Sequence, residues 1–146
     1  MDRAATVLVR DVMTADPVRI TSTTTIADLW RLFDEHDFNA FPVVDAGGTL
    51  KGIVTKLDLL RAFRAGPALE LPDPATLERP VDQIMRPGVV TVEPQDPAYA
   101  AAELMVEMRL HSLPVVRRGG GSPRLVGFVS RGDLLRAFVP ARSMPE

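Results

Sequence analysis

The hexapeptide Asp-Leu-Leu-Arg-Ala-Phe occurs twice in the chain, at residues 58–63 and 133–138. Each time a hydroxyl residue stands three positions before the Asp: Thr55 and Ser130. A hydroxyl that follows an apolar β-rich run and opens a helix lies beside backbone N–H groups with no partner inside the helix, at the positive end of its dipole. That place suits a phosphate, and the hydroxyl adds one more donor. An Asp one turn further on can accept from two hydroxyls at once, as a ribose 2′,3′-diol presents them. The same spacing also describes a capping box, although Glu or Gln is its usual partner at the third helical position. The two roles are compatible, since one hydroxyl can cap the helix when no ligand is bound.

Charged neighbours repeat as well. Lys56 and Arg131 follow the two hydroxyls directly, either as phosphate partners or as solvated surface cations. Arg61 and Arg136 lie three residues after each Asp, at ion-pair spacing, where they would either orient the carboxylate or compete with a diol. Gly132 stands where the first copy has Leu57, so the two sites need not be equivalent.

The elements that position these groups come from a repeat that runs through the whole chain. Shifted by 72, Val9, Met13, Val18, Leu32, Glu35, Pro42, Val43, Val44, Gly47 and Gly48 meet identical residues. After a three-residue insertion the shift becomes 75, and Leu50, Gly52, Val54 and the hexapeptide match too. Each copy reads as strand, helix, strand, strand, helix. In the first, "PVRI" predicts a short strand, and Ile26, Leu29, Trp30 and Phe33 fall on the apolar face of a helix. "AFPVVD" and "LKGIVT" flank a Gly-containing turn and predict a hairpin, and "KLDLLRAF" predicts the closing helix. In the second copy "VVTV" predicts the strand, and Asp96 as N-cap with Pro97 after it opens a helix whose inner face is Ala98, Ala101, Ala102 and Met105. "LPVV" and "LVGFVS" predict its hairpin, and "RGDLLRAF" its last helix. The Pro-rich "RAGPALELPDPATLERP" reads as a linker with one helical turn. The expected fold is α/β (α+β), with two β-α-β-β-α motifs packed as one pseudo-symmetric module, because neither copy alone buries much core.

Composition removes several classes of function. With 146 residues, 46% apolar and 25% charged, the chain is an ordinary globular one. A formal net charge of −2 gives no basic excess for nucleic acid. The chain has no Cys, which excludes disulfides, thiolate catalysis and Cys-ligated zinc, and His36 and His111 are its only histidines, so no metal site is expected. No apolar run reaches membrane length and "MDRAATVLVRDVM" is not a secretory signal, so a cytoplasmic protein is expected. "RRGGGSPR" lacks the ending of a phosphate-binding P-loop, and no nucleophile–base pair is visible; no catalytic residue is expected.

The order "VMT…PVRI…HDFNAFPVVDAGGTLKGIVTKLDLL", followed by "IMR…VVTV…MRLHSLPVVRRGGGSPRLVGFVSRGDLL", resembles two cystathionine β-synthase (CBS) domains in tandem, a Bateman module. The resemblance covers nearly the whole chain, with motif 1 at residues 8–64, a linker at 65–79 and motif 2 at 80–139. It implies a regulatory module, not an enzyme, that binds an adenosine nucleotide in clefts between the motifs. AMP, ADP or ATP is expected, with NAD and S-adenosylmethionine also compatible, since all carry the same ribose. Asp58 and Asp133 would be the ribose-binding carboxylates, with Thr55 and Ser130 on the phosphate side. Asn39 and His111, two residues ahead of the apolar residue that precedes Pro-Val-Val, fall where the family often has basic residues that reach phosphates. Val18, Ile20 and Phe41 in copy one, and Val90, Val92 and Leu113 in copy two, form the region implied for the base. A disc-like homodimer and a separate effector protein are further implications. The alternative is a protein-interaction dimer whose nucleotide sites are weak or idle. Ala101, Leu104, Met105, Met108 and Trp30 are the candidate dimer surface.

Overall fold

The computed structural model describes residues 7–65, 68–69 and 73–139. They form two compact units, and the units do not coincide with the two repeats. The first spans residues 18–89; the second joins residues 7–17 to 90–139.

In the first unit β2 (Ile20–Thr21) lies parallel to β3 (Ala40–Val44), which runs antiparallel to β4 (Leu50–Thr55). The helix α2 (Ile26–Glu35) connects β2 to β3 and α3 (Lys56–Ala62) follows β4 directly. The Thr25 hydroxyl accepts from the Asp28 N–H at 3.2 Å and so caps α2. Ile26, Leu29 and Phe33 turn inward, as their spacing predicts, but Trp30 is 51% exposed. A helix on a three-stranded sheet buries a narrow stripe, and the i+4 position falls beyond its edge. The hairpin turns at Gly48, whose φ of 86° suits glycine, while Asp45 Oδ1 accepts from the Gly47 and Thr49 N–H groups. β3, central in the sheet, is buried at every residue. Of the region predicted as the first strand only Ile20 is in the ladder, and Thr21 beyond it is the other residue of β2.

The second unit repeats this plan with longer strands. β7 (Ser112–Gly119) and β8 (Ser122–Ser130) pair antiparallel, α5 (Ala98–Met108) precedes them and α6 (Arg131–Phe138) follows. "VVTV" forms no strand; it contributes a single parallel bridge, Val92 to Val115. Asp96 is not the N-cap of α5. Its Oδ2 accepts from the Glu93 N–H at 2.8 Å in the preceding turn, so Pro97 takes the cap position and the Ala98 N–H donates to the Val7 carbonyl instead.

Residues 7–17 belong to the first repeat but complete the second unit. There α1 (Val9–Val12) leads into β1 (Thr14–Ala15), which pairs antiparallel with β8. Val9 is fully buried among Val92, Ala101, Leu113, Val115 and Val129. The lead of the second repeat does the reverse. Val81, at the start of a 3₁₀ turn (Val81–Gln83), is fully buried with Ile26, Leu29, Phe41 and Val54. Arg86 and Ile53 exchange backbone hydrogen bonds of 2.9 and 3.0 Å. Each lead thus supplies the apolar residue and the edge bonding of the other repeat's unit.

Part of the linker interval, residues 66–67 and 70–72, lies outside the described residues. The rest holds a two-residue ladder, β5 (Arg64–Ala65) with β6 (Ala68–Leu69), which local pattern did not predict, and one short helix, α4 (Pro74–Glu78). Asp73 caps α4 by accepting from the Thr76 N–H at 2.8 Å, with Pro74 in the first turn. That bond holds the exposed Asp73 carboxyl below its ordinary pKa.

Candidate functional site

Both hydroxyl–carboxylate pairs stand where a half-buried strand gives way to a helix. At the end of β4 the Thr55 hydroxyl accepts from the Asp58 N–H at 3.1 Å, and Asp58 Oδ2 accepts from the Thr55 N–H at 2.9 Å. At the end of β8 the corresponding distances for Ser130 and Asp133 are 3.2 and 2.9 Å. These are reciprocal capping boxes with Asp in the third position, where the shorter side chain still reaches. Capping leaves both hydroxyl protons free to donate, and each carboxylate oxygen keeps a lone pair.

The hydrogen-bonding partner of the other carboxylate oxygen differs between the units. Asp133 Oδ1 pairs with Arg136 at 2.5 Å, the local i,i+3 partner. Asp58 is 5% exposed, and its Oδ1 accepts from Arg86 Nε at 3.0 Å, while Arg61 stays 3.8 Å away. Arg86 comes from the lead of the second repeat, 28 residues along the chain, and sequence reasoning missed it. The available signal was its place after the repeated Met85, where the first copy has Thr14. A cleft of about 470 Å³ opens here, lined by Asp58, Arg61, Ala62, Arg64, Arg79, Ile84 and Arg86.

The structure also brings the residues ahead of each hairpin to these helix starts. The Lys56 N–H donates to the Asn39 carbonyl at 3.1 Å, and the Arg131 N–H to the His111 carbonyl at 3.0 Å. Asn39, Lys56 and His111 are exposed. Arg131 donates from Nε to the Leu110 carbonyl at 2.9 Å and lines an apolar groove on α5 and α6. Of the residues implied for the base, Ile20, Phe41, Val92 and Leu113 are core side chains. The Phe41 ring packs on Phe33 at a centroid distance of 4.8 Å. Val18 is 39% exposed and Val90 is half-buried, so these two keep accessible side chains. Among the described residues no group of three or more His, Asp and Glu could hold a metal ion, and no helix is long and apolar enough to cross a membrane.

A twice-repeated helix–hairpin–helix unit, with a hydroxyl and a carboxylate locked at each last helix, defines a tandem α/β module. The chain belongs to the CBS domain family, whose model matches residues 9–65 and 81–140. It is 35% identical to a CBS domain-containing protein of Dictyostelium discoideum, covering 91% of this chain and 92% of that one. Other relatives, enzymes among them, are matched over only 23% and 20% of their own length. Among solved structures, CBSX2 in complex with AMP is 27% identical with a TM-score of 0.75, covering 90% of this chain and 95% of that one. The CBS domain pair of protein MJ0100, in complex with 5′-methylthioadenosine and S-adenosyl-L-methionine, is also 27% identical, with a TM-score of 0.72 and coverage of 90% and 94%.

Proposed function

We propose that the chain is a regulatory module that binds an adenosine nucleotide at Asp58 and Asp133 and passes the ligand state to a separate effector protein. One observation carries this reading: both units hold a hydroxyl with a free proton beside a carboxylate with free lone pairs, in the same geometry. The solved neighbours that hold AMP, 5′-methylthioadenosine and S-adenosyl-L-methionine share the adenosine ribose that such a carboxylate accepts. No nucleophile with a base is needed for this, and regulation follows from the ligand's different affinity for two arrangements of the protein.

The expected result is a thermal shift with an adenosyl ligand. At a hundred times its dissociation constant, a ligand at one site adds about 2.7 kcal/mol and raises the midpoint by roughly 5–10 °C. Asp58→Asn and Asp133→Asn keep an acceptor for the cap but remove one of the two that a diol needs, so each should abolish the shift at its own site. A panel of AMP, ADP, ATP, NAD and S-adenosylmethionine that leaves folded, nucleotide-free protein unmoved would sink the reading.

The surface of the second unit favours assembly as well. Val106 is 79% and Leu135 63% exposed, and with Ala102, Met105, Leu134 and Phe138 they line a groove of about 340 Å³. Met108 and Trp30, from the candidate dimer surface, are also exposed, whereas Ala101 and Met105 are buried in the core and Leu104 is half-buried. A helix pair with this much uncovered apolar side chain suits a homodimer. Sedimentation should show a dimer for the wild type and a monomer for Leu135→Glu; a wild-type monomer at high concentration would refute the dimer.

A further inference from the structure

Four arginines line the cleft beside Asp58. Arg61 comes from α3, Arg64 from β5, Arg79 from the end of α4 and Arg86 from the lead of the second repeat. All four are exposed. Among the described residues the cleft lining sets one carboxylate, Asp58, against them, which leaves three positive charges in excess (four minus one). Among the described residues Arg64 and Arg79 have no carboxylate in ion-pair range. Arg79 gives its Nε to Gln83 Oε1 at 2.6 Å and keeps its terminal nitrogens.

The repeat supplies the control. Under the same shifts, Arg61, Arg64, Arg79 and Arg86 correspond to Arg136, Val139, Val7 and Thr14. The second unit builds the same strand, helix and capping box, and at these four positions it has one cation in place of four. Gathering like charges costs free energy, and among the described residues only Asp58 offsets it by ion pairing, with Arg86 and Arg61.

We propose that the Asp58 cleft takes an anion with several linked phosphates, such as the chain of a nucleoside triphosphate, and that the Asp133 position is not built for one. A guanidinium presents a planar fork that matches phosphate oxygens in pairs, and a cleft of about 470 Å³ is large enough for a nucleotide. The inference deepens the nucleotide reading and rests on it for the nucleoside part alone. Arg86 gives it a mechanism. When Arg86 turns from Asp58 Oδ1 to a phosphate, that oxygen gains a second open lone pair for a ribose hydroxyl, so phosphate and ribose bind cooperatively. AMP, with a single phosphate, must break the same pair with less return.

The test is calorimetric titration of the full chain carrying Asp133→Asn, with tripolyphosphate, orthophosphate, ATP and AMP in metal-free buffer. Tripolyphosphate should bind at least about 10-fold more tightly than orthophosphate. Arg64→Ala with Arg79→Ala, both at exposed positions, should weaken tripolyphosphate and ATP about 10- to 100-fold and AMP by less than about 3-fold. Arg86→Ala should move the two ligands in opposite directions, weakening tripolyphosphate and strengthening AMP. Equal affinity for tri- and orthophosphate, or triphosphate binding unchanged in the double variant, overturns the inference, while Asp58-dependent AMP binding in the same titrations would leave the nucleoside reading standing. Arginine-dependent tripolyphosphate binding with no response to AMP or adenosine supports the inference and removes the nucleoside reading.

Discussion

Gly127→Ala lowers the melting temperature by roughly 4–8 °C, and Gly52→Ala lowers it by at least as much. Neither glycine has a positive φ, so the cost lies in space and not in backbone conformation. A Cβ at Gly127 would stand 2.5 Å from the Met13 sulfur and 3.1 Å from the Thr14 carbonyl oxygen. At Gly52 it would stand 2.8 Å from the Arg86 carbonyl oxygen and 2.9 Å from the Met85 sulfur. Overpacking of this kind costs about 2 kcal/mol, well above the few tenths to 1 kcal/mol that Ala returns by restricting the unfolded chain. For a chain of this length that loss gives the stated shift. The two sites differ in what can yield. The Met13 side chain is flexible, so Met13→Ala should rescue much of the Gly127→Ala defect. The nearest obstacle at Gly52 is backbone that is itself hydrogen-bonded to Ile53 at 3.0 Å, so Met85→Ala should rescue little. Thermal unfolding of the single and double variants measures both coupling energies. A neutral Gly52→Ala would show that the lead does not hold its place against β4.

Asp58→Ala should cost about 2 kcal/mol in urea unfolding, and Asp133→Ala about half of that. Removing the Asp58 carboxylate orphans the Thr55 N–H at a part-buried strand end and leaves Arg86 without its counter-charge. Arg86 is half exposed, so water takes over part of its solvation and the loss stays below that of a fully buried pair. Asp133 is more exposed and pairs with a neighbour on its own helix, so fewer groups are stranded. Asp58→Asn keeps an acceptor for the cap and should recover at least half of the loss. Arg86→Ala should cost clearly less in the Asp58→Ala background than in the wild type, because the carboxylate it serves is gone. Additive effects of the two substitutions would show that the 3.0 Å contact contributes nothing to stability. The comparison also has a bearing on function: loss of nucleotide binding in Asp58→Ala is informative only where Asp58→Asn, at near-native stability, loses it too.

Much of this protein could be read from local pattern. The repeat shows in the sequence directly, while the Ile26–Leu29–Phe33 stripe, the glycine turn at Gly48 and the Thr55–Asp58 and Ser130–Asp133 spacings each depend on neighbours within a few residues, and the structure contains all of them. Other features were set by packing and by a competing turn. Trp30 lies past the edge of the buried stripe, and Asp96 is occupied by the turn before it. Phe41 belongs to a core that also holds Val81 from the other repeat. The largest such decision is which lead completes which unit. Val9 and Val81 are identical, as are Met13 and Met85, and either lead could fill either core and meet either glycine. A repeated sequence is degenerate on this point. Only the tertiary structure resolves it, by carrying Val81 and Arg86 to β4 and α3 and Val9 and Met13 to β8, and with that choice it sets Arg86 against Asp58 and leaves Asp133 to Arg136.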